Sequence, residues 1–165
     1  MRISRQNLKP SLHRPSGTIA KPALRLPVWQ RRSFHGVCAL LTGSGILWLA
    51  AHFFLRPVGE FGVGISPLEP WSMKLHGAAA MLMLWLVGTM LHLHIRRGLA
   101  AGRNRSAGWS MIILLGFLAT TGYALYYIAG EESRPVWSVL HWAAGLLLPA
   151  MVWLHIFFGK KSARQ

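Results

Sequence analysis

Residues 135–158 read PVWSVLHWAAGLLLPAMVWLHIFF. The stretch is long enough to cross a bilayer as a single helix, and it carries two histidines, His141 and His155. At ~100° per residue, the fourteen steps between them bring the second ring to within about 40° of the first. At ~1.5 Å per residue the second ring also lies about 21 Å further along the axis. Two imidazoles on one face of a membrane helix, one towards each lipid surface, are costly unless something uses them.

Three more apolar runs precede this one, at about 34–55, 71–95 and 108–129. The chain is 53% hydrophobic and 13% charged, too little polar surface to cover four such helices in a soluble fold. The expectation is therefore an all-α integral membrane protein, a four-helix up-down-up-down bundle with short loops and spans at about 34–55, 71–95, 108–129 and 135–158. The net charge is +14, from 18 Lys+Arg against 4 Asp+Glu. A balance that basic raises the question of nucleic acid, but binding one needs the charges clustered on a folded surface. Here fifteen of the eighteen fall in the segment up to Arg32, in the loop with Arg96, Arg97, Arg103 and Arg105, or in the tail with Lys160, Lys161 and Arg164. The acids Glu60, Glu69, Glu131 and Glu132 fall in the other two loops. Cationic flanks stay on the cytoplasmic side, so both termini are expected there. Residues 1–32 then form a basic, flexible cytoplasmic arm, 33–158 the transmembrane domain, and 159–165 a basic cytoplasmic tail. Cys38 lies alone within the first span, reads as a small buried apolar side chain, and can form no internal disulfide. The chain contains no Cys-x-x-Cys-His, which excludes covalently attached haem.

Topology sorts the histidines into two layers. His52, His76 and His141 lie near the outer surface; His35, His92, His94 and His155 lie near the cytoplasmic one. Span three has none. Two layers of imidazole on three helices match two bis-histidine haems, each iron taking axial nitrogens from two different helices. For the outer haem, His76 and His141 sit at matched depth. His52 is the spare, about 100° around the helix from His35. For the inner haem, His155 pairs with His35 or His94. Regular helix geometry puts His94 on the same face as His76 but about 27 Å lower, which exceeds the His141–His155 rise. His35 lies on the helix otherwise lacking a ligand and is preferred. His92 points about 160° away from His76 and is not expected to ligate. Haem propionates need cationic partners, and Lys74 and Arg134 outside, with Arg96 or Arg97 inside, are the candidates. A proton pathway is the competing use of intramembrane histidine. It is disfavoured because all four acids sit in the outer loops.

The order of these residues resembles a known family. His35 on span one, His76 at the head of span two, none on span three and His-x13-His on span four are similar to the di-haem cytochrome b subunits of formate dehydrogenases and nickel–iron hydrogenases. These belong to the wider bacterial cytochrome b-561 superfamily. Thr121-Gly122-Tyr123 and Leu140-His141-Trp142 look like recurring pieces of it, and the resemblance covers about residues 31–160. It implies that His76 and His141 hold the outer haem b and that His35 and His155 hold the inner one. It further implies a bacterial inner-membrane subunit that moves electrons between a periplasmic redox partner, such as a periplasmic cytochrome or another subunit of a membrane oxidoreductase, and quinone or a cytoplasmic partner. The long basic arm and the extra histidines His52, His92 and His94 depart from the family pattern. A haem-free membrane anchor or assembly subunit is the rival expectation.

Overall fold

The structure, a computed structural model, describes residues 26–60, 62–102 and 104–162. The basic arm expected over 1–32 lies for the most part outside them. Its last residues do not: α1 runs Val28–Phe54, so Arg31 and Arg32 stand on its first turns. Long cationic side chains can lie along a helix and still reach water, so a helix can extend past the apolar run in this way.

A short hairpin follows, β1 Val58–Gly59 paired antiparallel with β2 Gly62–Val63. Gly62 has φ +99, a backbone region that a side chain would strain. The helix α2, Leu68–Met90, continues without a break into a π-helical segment, Leu91–Arg96, and a last short turn, α3, Arg97–Ala100. Then come α4, Arg105–Tyr127, and α5, Arg134–Ser162. The continuous helices Val28–Phe54, Leu68–Ala100, Arg105–Tyr127 and Arg134–Ser162 have 27, 33, 23 and 29 residues, and all four are long and apolar enough to cross a membrane.

No side chain caps the N-terminus of α1, α2 or α4. Their stability cannot come from caps. In hydrocarbon every backbone polar group must be satisfied within the segment, and the helix is the structure that does so. Pro149 sits inside α5 and removes one backbone donor. The helix continues through it, as apolar-embedded helices tolerate.

Packing is closest between α1 and α2, between α4 and α5, and between α1 and α5. Val37 and Cys38 of α1, Ala79, Met83 and Leu86 of α2, Met111 of α4 and Leu148 and Val152 of α5 form the buried core. Large apolar side chains such as Met81, Trp85, Ile113, Leu147 and Trp153 instead face outward, the distribution a lipid-facing surface requires.

Polar contacts tie α1 to α2 near both ends of α1. Near the start of α1, buried Gln30 donates from Nε2 to Thr89 Oγ1 at 3.3 Å, and Thr89 donates to the Leu86 carbonyl at 2.7 Å. Near its end, Glu69 takes a fork from Arg56, with Nε to Oε1 at 2.8 Å and Nη2 to Oε2 at 2.7 Å. The Ser66 N–H also donates to Oε1 at 3.2 Å, and His52 Nδ1 lies 3.0 Å from Oε2. Glu69 thus belongs to the first turn of α2 rather than to the preceding loop, and it is buried. Its hydrogen bond raises the Arg56 guanidinium above its ordinary value. Arg56→Ala leaves a buried carboxylate without its counter-charge, which costs more than the pair contributes when intact. The expected outcome is a fall of several degrees in the melting temperature of the detergent-solubilised protein. Glu69→Gln, which keeps the shape and removes the charge, should fall less.

Candidate functional site

His76 on α2 and His141 on α5 face each other, ring centroids 6.1 Å apart and planes at 76°. Each ring is held by a hydroxyl on the preceding long helix. Ser44 Oγ lies 2.9 Å from His76 Nδ1, and Thr121 Oγ1 lies 2.8 Å from His141 Nδ1. A hydroxyl has one proton to give. Ser44 gives its proton to the Leu40 carbonyl at 2.7 Å, and Thr121 to the Phe117 carbonyl at 2.8 Å, the bond to the residue four back that hydroxyls make inside helices. Each oxygen is then left to accept, so each imidazole donates from Nδ1–H. That selects the tautomer with its lone pair on Nε2, the atom a metal would take.

A glycine follows each hydroxyl. A Cβ on Gly45 would lie 3.6 Å from the His76 ring, and one on Gly122 only 3.3 Å from the His141 ring. Ser44-Gly45 on α1 and Thr121-Gly122 on α4 thus place a hydroxyl against each ring in the same way; at Gly122 the missing side chain also gives the ring room, whereas at Gly45 a Cβ would make only ordinary contact. Sequence reasoning gave these hydroxyls no role. The signal available was a Ser/Thr-Gly step one helix ahead of each histidine.

A second pair lies further along the same two long helices. His94, in the π segment, and His155 of α5 have ring centroids 6.3 Å apart and planes at 78°. His155 Nδ1 is buried and has no hydrogen-bond partner among the described residues. Asn104, in the left-handed region at φ 51, donates from Nδ2 to the His155 carbonyl at 3.2 Å, so the turn before α4 holds the backbone of this ring. Asparagine is among the few side chains that adopt that conformation readily.

His35, the preferred partner of His155 on sequence grounds, is placed elsewhere. Its Nδ1 lies 2.6 Å from the Arg31 carbonyl, and its ring is edge-on to Phe34. His94, in the π segment, is the ring that lies against His155. Winding with bonds to the fifth residue packs more residues into a given length than an α-helix does. Over the few π-wound residues before His94 that shortening is small, and the pairing with His155 rests on where the two long helices bring the rings together. His92, in the same segment, is exposed.

Both pairs open on one continuous cavity of about 2400 Å3 that runs between the four long helices. Ordinary ligand pockets hold roughly 300–1,000 Å3, so this space exceeds what a single small ligand needs. His35, His52, His76, His94, His141 and His155 all line it, and most of the remaining wall is apolar. His52, stacked on Trp48 at 4.6 Å, is the one committed to Glu69. Of the expected propionate partners, Arg134 lines the cavity and donates to the Ala129 carbonyl at 3.2 Å. Lys74 stands over the Trp71 ring at 4.7 Å, away from the lining. At the His155 end the cations on the wall, among the described residues, are Arg31, Arg105 and Lys160 rather than Arg96 or Arg97. Among the described residues no group of three or more His, Cys, Asp or Glu converges on a point. The histidines come in facing twos.

Thr121→Val keeps the side-chain shape and turns a methyl towards the His141 Nδ1–H. Leaving that buried donor unpaired is expected to lower the unfolding free energy by about 1 kcal/mol, read by denaturation in mixed micelles. Thr121→Ser should recover most of the loss.

In comparisons with protein-family models, with curated proteins and with solved structures, nothing matches this chain.

Proposed function

We propose that the chain is a membrane b-type cytochrome that binds two haems. His76 and His141 would be the axial ligands of one, and His94 and His155 those of the other. The observation that carries this reading is the pair of facing imidazole couples with ring centroids 6.1 and 6.3 Å apart. A metal gripped by two imidazole nitrogens at ~2 Å each separates the ring centres by about 6 Å. Two protein donors per site are too few for a bare ion, which takes four or more ligands. They are the number required by a metal already held in a planar four-nitrogen ring.

Further features fit the group. The tautomers of His76 and His141 leave the lone pair on Nε2, Gly122 gives the His141 ring room, and the cavity is largely apolar and large. His94 replaces His35 in the reading because His94 is the ring beside His155. A haem held by two imidazoles supplies one-electron chemistry and no open position for oxygen or substrate, so electron transfer is the expected task.

Orientation belongs to the same proposal. The basic ends of the chain and the loop before α4 would face the cytoplasm, which makes an up-down-up-down bundle with His76–His141 as the outer site and His94–His155 as the inner one. The chain would sit in a bacterial inner membrane as part of a larger oxidoreductase. It would exchange electrons with a periplasmic redox partner on one side and with quinone or a cytoplasmic partner on the other.

The absorption spectrum of protein purified from haem-replete cells tests the reading. Sharp α and Soret bands on reduction and two haems per chain by pyridine haemochrome are expected. His141→Ala and His94→Ala should each remove one haem, and His35→Ala should remove none. A colourless preparation would end the proposal and favour the haem-free anchor.

A further inference from the structure

We infer that Ser44 and Thr121 set the two sites apart in electron affinity, so that the His76–His141 site holds an electron less tightly than the His94–His155 site. The inference rests on the two-haem reading above. A metal-bound imidazole that donates its remaining N–H to an oxygen becomes a stronger electron donor, and it favours the oxidised metal. At the first site both rings have such an acceptor, Ser44 Oγ at 2.9 Å and Thr121 Oγ1 at 2.8 Å. Both acceptors are committed to that role because their own protons go to carbonyls of their helices. At the second site His155 Nδ1 has no acceptor among the described residues, so at most one of its two rings is supported in this way.

The charges on the cavity wall act in the same sense. Around the His155 end the wall carries Arg31, Arg105 and Lys160. At the other end it carries Arg134 together with Glu131, the one carboxylate among the described lining residues. Positive charge near a metal favours the added electron, although exposed side chains are screened by salt. The buried hydroxyls are not screened, and the two contributions have one sign. The order of the sites therefore does not depend on which is larger.

Potentiometry of the full-length holoprotein in detergent, followed at the α band, tests this. Two resolved midpoints are expected. His141→Ala should leave the higher, and His94→Ala the lower. Thr121→Val and Ser44→Ala should each raise the lower midpoint, seen as a several-fold larger reduced fraction of that haem at fixed potential, with the upper midpoint unmoved. Thr121→Ser should restore the original value, which a general loosening of the bundle would not. A bis-histidine spectrum with the order reversed, or with the lower midpoint indifferent to both hydroxyls, overturns this inference and leaves the two-haem reading standing. Protein without haem overturns both.

Discussion

An imidazole placed among apolar helices has two ring nitrogens to account for, and water is not there to account for them. That constraint organises the centre of this molecule. Ser44 and Thr121 take one nitrogen of His76 and His141 and leave the lone pair of each ring on the other, and both rings line the cavity. The hydroxyls can serve because each already spends its proton on a carbonyl of its own helix. Helix geometry therefore determines the hydroxyl's role, the hydroxyl determines the tautomer, and the tautomer decides what the site can hold.

Packing follows from the same demand. Gly122 gives the His141 ring room against α4, the Ser44-Gly45 step lies against the His76 ring, and α1 and α4 buttress α2 and α5. The histidines that face each other stand on α2 and α5, with α1 and α4 in support. Between the two levels of imidazole lie Ala79, Met83, Leu86, Leu148 and Val152, a short apolar floor that keeps the pairs apart.

The His94–His155 level shows how far regular geometry carries. Counting turns from His76 places His94 on the correct face and misplaces it along the axis. His94 nevertheless meets His155 from within the π-wound stretch Leu91–Arg96. Its sequence, Leu-His-Leu-His-Ile-Arg, shows no proline or glycine to announce a change of winding. The π segment is where the second site is built, in keeping with the association of π turns with functional positions. Asn104 contributes from the opposite side by holding the His155 carbonyl from a turn whose left-handed residue is compatible with asparagine.

The four apolar runs and the spacing of His141 and His155 were legible in the chain by length and periodicity alone, because a helix repeats every 3.6 residues whatever it packs against. So was the grouping of histidines into two depths, since depth is only residue count along a span. Which of His35 and His94 lies beside His155 was beyond that reasoning, because it depends on which ring faces which across helices. Ser44, Thr121 and Asn104 were illegible for a related reason. A hydroxyl or an amide has many local uses, and its partner here lies 32, 20 or 51 residues away in the chain. Period and length belong to a segment by itself, and partnership belongs only to the assembled bundle.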